Sequence, residues 1–366
     1  MKRLLTILIG LMLTACSFGG GDFTASGDPV HIRLSLQDKN DKSLFLYGRL
    51  VIFPMERRAL FFFVNTEART ETTADPLRKG FGVFGDPMKE ITGKGHDYQI
   101  TISPESLSRL IDLTGGVDFF VEDPVIFDKG KFQYPEGVQL FSGEQAKEFS
   151  LAKGKFEKGS KYLADIDRLF RAESVLMNVL WQLPGKMDQI DRPEQIKLMH
   201  SLLDTDLSEE KFRELLLLFG SDQPFDVSVM EAPLELGTAG FGEKVLLFKP
   251  ARAEFLYNDY VKSLKTKVDG FPVQVLNGTD TGRLASRVKD LIHNRGVRVL
   301  NTDNYRSQDF AHSTAIEHSG DFRKARLLME LLGLSENRVF FRRRALDLHA
   351  TVIMGKDFDM KSLLKK

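Results

Sequence analysis

One cysteine in 366 residues means that no disulfide within this chain can hold it together, so the fold must rest on burial of apolar side chains. A disulfide framework, a CxxC redox pair and a cysteine-based zinc site within one chain are excluded. Burial is sufficient for the task. Hydrophobic residues make up 42 % of the chain and charged residues 28 %, the balance of a globular protein rather than a disordered one. The length exceeds what one ordinary domain needs, so two domains are expected. Lys plus Arg equals Asp plus Glu at 51 each, which argues against a nucleic-acid binder with a surface that is basic throughout. Aromatic content is 29 Phe against 7 Tyr and 1 Trp, which favours core packing over base-stacking platforms.

The cysteine is Cys16, in the run Leu13-Thr14-Ala15-Cys16. Lys2-Arg3 and an apolar stretch from Leu4 to Leu13 precede it. A basic start, a short apolar run and small residues at the cut describe a secretory signal. The apolar run is well below the roughly 20 residues that span a bilayer. The pattern resembles a bacterial lipobox, which implies a signal peptide over 1–15 and a covalent lipid on Cys16 as the mature N-terminus. The bland alternative is a buried or free thiol. Residues 16–28, with Gly19-Gly20-Gly21, then read as a flexible tether. This reading places the protein outside the cytoplasm, lipid-anchored to the cell membrane or the outer membrane. No ATP is supplied there, so any chemistry must use a pre-activated substrate, or the role is binding alone.

The pattern along the chain predicts an α/β fold. Val30, Ile32, Leu34 and Leu36 alternate with polar residues as in a half-buried strand. The apolar runs Leu44–Tyr47 and Leu50–Phe53, the turn at Pro54–Arg58 and a strand over Ala59–Val64 predict a hairpin. Residues 71–97 hold several Gly, Pro and Asp and read as loop. Ser103-Pro104 starts a helix that stops at Gly115-Gly116, and Val117–Val121 follows as a strand. Helices open at Ser142-Gly143-Glu144, run from Tyr162 to Leu183, and open again at Asp206–Glu210. Strands are expected at Asp226–Met230 and Lys244–Phe248, and a helix at Ala251–Leu264. From Phe271 the pattern becomes β-turn-α-β, with helices at Leu284–His293 and Asp321–Leu332 and strands at Val297–Leu300, Val339–Phe341 and Ala350–Met354. The expected organisation is a mixed central sheet flanked by helices over 29–265, a small C-terminal α/β domain over 268–358, and a basic tail over 359–366.

Charge separates these parts. Residues from Thr266 onward carry 18 Lys/Arg against 12 Asp/Glu, whereas Cys16–Lys265 carries 31 against 39. The sharpest basic cluster is Arg342-Arg343-Arg344, read either as a solvated strand end or as a contact for an anion.

Two stretches carry a family resemblance. Val273-Gln274-Val275-Leu276-Asn277-Gly278, the helix closed by Arg295-Gly296, and Ala350-Thr351-Val352-Ile353-Met354-Gly355-Lys356-Asp357-Phe358 resemble the LytR C-terminal domain. That resemblance implies an extracytoplasmic accessory domain. Upstream, three segments resemble the catalytic domain of LytR-CpsA-Psr proteins: Leu110–Asp118, Gly137–Ala146 and Asp165-Ile166-Asp167-Arg168-Leu169-Phe170-Arg171. Enzymes of that family move a glycopolymer from a polyprenyl pyrophosphate onto peptidoglycan. The implied partners are the membrane and peptidoglycan or an anionic glycopolymer, not nucleic acid. The implied site uses arginines against the pyrophosphate and carboxylates for Mg²⁺. Mapped onto this chain, the pyrophosphate set is Arg168, Arg171 and Lys153, and the metal set is Asp165 and Glu67.

Asp165, Arg168 and Arg171 are spaced by three and so share one helical face. They can form a pyrophosphate clamp or an exposed salt-bridge ladder. The chain also departs from the family pattern. An R-x-R pair is reduced to Lys153, Thr66 stands where an arginine precedes the metal carboxylate, Ala172 replaces a glutamine, and Phe45 falls where a second metal Asp is expected. Losing guanidiniums and a carboxylate from a charge-dominated site removes transition-state stabilisation. The expectation is an envelope protein that binds glycan or polyprenyl-linked glycopolymer with catalysis reduced or lost; the alternative is a working Mg²⁺-dependent phosphotransferase.

Overall fold

The computed structural model describes residue 23 and residues 27–70, 75–80, 85–127, 132–152, 161–238, 244–293, 295–344 and 347–359. The first unit begins with β1 (Val30–Gln37), β2 (Leu44–Phe53), β3 (Arg58–Val64), α1 (Pro87–Thr92), β4 (Tyr98–Ile102) and α2 (Pro104–Leu113). Four short strands follow: β5 (Val117–Val121), β6 (Val125–Phe127), β7 (Phe132–Tyr134) and β8 (Gly137–Phe141). Then come α3 (Gly143–Leu151), α4 (Lys161–Gln182), α5 (Met187–Ile190), α6 (Pro193–Ser201), β9 (Leu203–Thr205) and α7 (Glu209–Gly220). The unit closes with β10 (Asp226–Glu231), β11 (Leu234–Thr238), β12 (Lys244–Phe248) and α8 (Pro250–Ser263).

Six of these strands make one mixed sheet in the order β10-β3-β2-β1-β4-β9. β1–β2–β3 is an antiparallel meander, and β4 and β10 join its flanks in parallel. The residues of β3 are buried along the whole strand because both sheet faces are covered. Leu50, Phe61 and Phe63 face α4 and α7, whereas Val51, Phe62 and Val64 face α8 and α1. Gly48 is required in β2, since a Cβ there would collide with the Phe63 ring and the Phe62 carbonyl.

The second unit holds β13 (Phe271–Asn277), α9 (Leu284–Ile292), β14 (Val297–Asn304), β15 (Thr314–Glu317), α10 (Phe322–Leu332), β16 (Val339–Phe341) and β17 (Ala350–Met354). Its sheet order is β14-β13-β17-β15-β16, parallel except between β15 and β17. The units share an apolar core in which Trp181 of α4 meets Phe322 and Phe341 edge-on, with ring centroids 4.9 and 5.4 Å apart. Asn178 hydrogen-bonds both backbone groups of Phe341, donating to its carbonyl (2.8 Å) and accepting from its N–H (3.1 Å). The architecture is therefore the mixed α/β sheet with a small C-terminal α/β domain that the sequence predicts.

Local details differ from the sequence reading. The stretch read as loop over 71–97 contains α1, whose N-cap Asp86 accepts from the Met88 and Lys89 N–H groups, with Pro87 in the first turn and Gly93 left-handed at the C-cap. Its Pro and Gly are helix punctuation rather than loop markers. The two apolar runs after Leu44 are a single ten-residue strand. β15 was not foreseen because all four of its residues are buried, so no alternation marks it.

Candidate functional site

α4 crosses one face of the six-stranded sheet and leaves a cavity of about 250 Å³ beneath it. Leu34, Leu46, Leu50 and Phe63 line it from the sheet, and Ala172, Val175, Leu176 and Val179 from α4. Only Ser35, Thr114 and Ser150 among its lining residues carry side-chain polar atoms. These are already bonded to Thr101 Oγ1 (2.9 Å), Ile111 O (2.8 Å) and Ala146 O (2.7 Å) respectively. Such walls give water few of the partners it needs.

Arg168 lies one turn before Ala172 on α4 and is 4 % exposed. Its Nη1 donates to Phe45 O (2.6 Å) and its Nη2 to Thr66 Oγ1 (3.0 Å). Register brings those two partners together. Tyr47 pairs with Val64, so the antiparallel ladder sets Phe45 opposite Thr66 just beyond its last pair. Leu46, the neighbour of Phe45, and Ala172, one turn after Arg168, line the cavity, so the guanidinium lies near the cavity but not in its lining. Burial pushes the Arg168 pKa below its ordinary value; Asp165 and Glu67 act against that, and Arg171 and Arg78 act with it. Those five charged side chains thus share one electrostatic neighbourhood. Two buried donors here, Arg168 Nε and Asn65 Nδ2, have no acceptor among the described residues.

Arg78 is a residue the sequence reading did not select. Its N–H donates to Thr66 O (2.7 Å) and its Nε lies 3.3 Å from Glu67. A guanidinium therefore returns to the place where Thr66 stands instead of an arginine. Only the fold brings it there, through the backbone hydrogen bonds of Arg78 to Thr66 and of Leu77 to Ala68.

Arg171 goes elsewhere. It donates to Phe149 O and Ala152 O, the orphan carbonyls at the C-terminus of α3, and to Asp167 Oδ2 at 2.9 Å. The shared helical face of Arg168 and Arg171 is thus split between a strand-end contact and a helix cap, and neither is an exposed salt-bridge ladder. Glu67 and Asp165 are the carboxylates beside Arg168 that could hold a Mg²⁺, which needs only one or two carboxylates when phosphate oxygens complete its shell. Among the described residues no three His, Cys, Asp or Glu side chains form a metal-binding group. Cys16 and Lys153 lie outside the described residues.

Comparison with known proteins separates the two units. Residues 270–358 match the LytR_C family, described as LytR cell envelope-related transcriptional attenuator. The second unit is a LytR_C domain. No curated protein matches the chain by sequence. The fold is similar to that of gbs0355 from Streptococcus agalactiae, with 15 % identity, 68 % of this chain and 91 % of that chain covered, and a TM-score of 0.54. It is also similar to TagV of B. subtilis (13 % identity, 65 % and 98 % covered, TM-score 0.50) and to TagT bound to LI-WTA (15 %, 68 % and 94 %, TM-score 0.50). TagT and TagV are LytR-CpsA-Psr proteins, so the fold implied by the sequence resemblance is the fold found.

The LytR_C domain brings Arg342, Arg343 and Arg344 to the boundary with the first unit. Arg343 is buried, donating to Glu173 Oε2 (3.3 Å), to His318 O (2.8 Å) and to Glu231. Arg342 lies 3.6 Å from Asp167 and over the Phe149 ring. Arg344 pairs with Glu122 at 2.6 Å. Each arginine of the triplet therefore meets a carboxylate of the acidic first unit, and Arg343 is enclosed between two.

Proposed function

We propose that this protein binds a polyprenyl-linked, phosphate-bearing cell-envelope glycopolymer. The apolar cavity takes the hydrocarbon and Arg168 near it takes the anionic head. The observation that carries this reading is the proximity of two features: a space with almost wholly apolar walls, lined by Leu46 and Ala172, and, one residue from Leu46 and one helical turn from Ala172, the contact between Phe45 and the buried Arg168, whose Nε has no acceptor among the described residues. An amphiphile with a long apolar tail and a phosphate matches both halves. The likeness to TagT, whose structure is that of a complex with LI-WTA, supports the same class of ligand. In this proposal the chain is held at the extracytoplasmic face by a lipid on Cys16. Phe23 packs edge-on against Tyr98 and under Lys211.

Transfer chemistry is reduced in this reading because Arg171 is committed to capping α3 and Phe45 offers only a carbonyl at the place of a metal carboxylate. The grouping of Glu67, Asp165, Arg168 and Arg78 favours the second reading, a transferase that uses Mg²⁺ on the two carboxylates and Lys153 as a further cation.

Binding of a decaprenyl pyrophosphate probe tests the proposal. Arg168→Ala is expected to weaken it at least about tenfold through loss of a charge-assisted contact. Leu176→Trp, which fills the cavity, is expected to abolish it while leaving the circular-dichroism spectrum unchanged. Wild-type binding unaffected by either substitution sinks the reading. Release of the polyprenyl carrier in the presence of peptidoglycan, lost in Glu67→Gln, establishes the transferase instead.

A further inference from the structure

A second cavity, of about 280 Å³, lies between the two units and shares no lining residue with the apolar one. Glu122 and Asp123, just after β5, form one wall; Gln274, Asn304 and Thr351 of the LytR_C sheet form the other. Its cations are already neutralised. Arg344 pairs with Glu122 at 2.6 Å, and Arg306 with Asp123 at 3.1 Å and Glu136 at 2.8 Å. Two guanidiniums against three carboxylates leave no net positive field, so a phosphate or other anion gains nothing by entering.

Uncommitted polar groups are present nonetheless. The side-chain amides of Gln274 and Asn304 make no hydrogen bond with the described residues. Each offers two donors and an acceptor. Thr351 has a defined role through His318. The His318 Nδ1 faces the Arg342 carbonyl at 2.8 Å, which can only accept, so Nδ1 carries the proton. Nε2 must then accept from the Thr351 hydroxyl at 3.0 Å, and the Thr351 oxygen is left as an acceptor. Apolar surface is provided by Leu276, Ile353 and the half-buried ring of Tyr305.

We propose that this cleft is a saccharide subsite that binds one or two uncharged sugar rings between the two units. Planar amides, a fixed acceptor and neutralised ion pairs match hydroxyls, which both donate and accept, and the apolar patch matches the C–H face of a pyranose. The cavity volume is near the lower end for ligand pockets, as a ligand of this size requires. The inference rests on the reading that a glycopolymer is the ligand, but places its uncharged sugars in a site separate from the phosphate and the hydrocarbon.

The test titrates the full chain with the N-acetylglucosamine tetramer, with an oligo(glycerol phosphate) and, separately, with decaprenyl pyrophosphate. Saturable binding of the tetramer is expected, insensitive to added salt. The double variant Gln274→Ala/Asn304→Ala is expected to weaken it about tenfold, the loss of two neutral hydrogen bonds. Its melting temperature and its decaprenyl pyrophosphate affinity should stay as in the wild type. No saturable tetramer binding, an unchanged affinity in the double variant, or preference for the phosphate oligomer overturns the proposal. Tetramer binding without decaprenyl pyrophosphate binding leaves the subsite standing and removes the lipid-linked reading.

Discussion

Arg343→Ala is the substitution whose consequences follow most directly from the geometry. The guanidinium sits between Glu173, which is 0 % exposed, and Glu231, and it also donates to the His318 carbonyl. Burial and the neighbouring Glu231 hold the Glu173 carboxyl well above its ordinary pKa. Burial works most strongly to raise Glu231, but Arg343 and the hydrogen bond with Glu173 together keep that carboxyl low. Removing the arginine leaves the Glu173–Glu231 pair without its cation, a loss of about 3–5 kcal/mol at neutral pH. The sign of the pH dependence follows. Without Arg343 both acids have raised folded-state values, so the native state holds more protons than the unfolded one above the ordinary carboxyl range. Stability of the variant then falls as pH rises, by up to about 1.4 kcal/mol per pH unit more steeply than the wild type. Near pH 5, where both acids can be protonated, the deficit should shrink to about 1–2 kcal/mol, the lost hydrogen bond and packing. Urea denaturation followed by tryptophan fluorescence is suited to this, because Trp181 is the single tryptophan and lies at the boundary of the units. Adding Glu173→Gln to the variant should restore part of the loss at pH 8 and little at pH 5. A deficit that is below about 1 kcal/mol, or equal at both pH values, would refute the reasoning.

Three further outcomes are expected. Arg171→Ala should lower stability by about 2–3 kcal/mol by orphaning the Phe149 and Ala152 carbonyls, and Arg171→Lys should recover only part because an ammonium lacks the fork; thermal unfolding of the pair measures this, and full recovery by Lys contradicts the cap. Asn178→Ala leaves both buried backbone groups of Phe341 unpaired, and a loss of about 2–4 kcal/mol with a shifted Trp181 emission should follow. Burial lowers the His31 and His318 pKa values to about 4, so the unfolded state takes up protons first as pH falls. Their stabilisation is present above the unfolded value of 6.5 and is lost toward pH 4, roughly 3 kcal/mol each; a His318→Gln variant with an undiminished acid slope would contradict this.

The chain's own sequence determined the features set by neighbours within a few residues. Ser103 caps α2 through the Ser106 N–H, Ser142 and Gln145 close a capping box on α3, and Asp321 and Gly333 bound α10, all as the residue order predicts. Spacing also placed Asp165, Arg168 and Arg171 on one helix, since a 3.6-residue period needs no information from elsewhere. What each of those side chains does was decided by tertiary structure. Arg168 meets a carbonyl 123 positions earlier in the chain, whereas Arg171 meets the end of α3, and no local pattern distinguishes the two. The arginine triplet is the same lesson at greater distance. Read along the chain it is a basic patch, but Arg343 finds Glu173 across 170 residues. Burial of such a charge is tolerable only where carboxylates have been brought to it, and that depends on how two separately coded units pack.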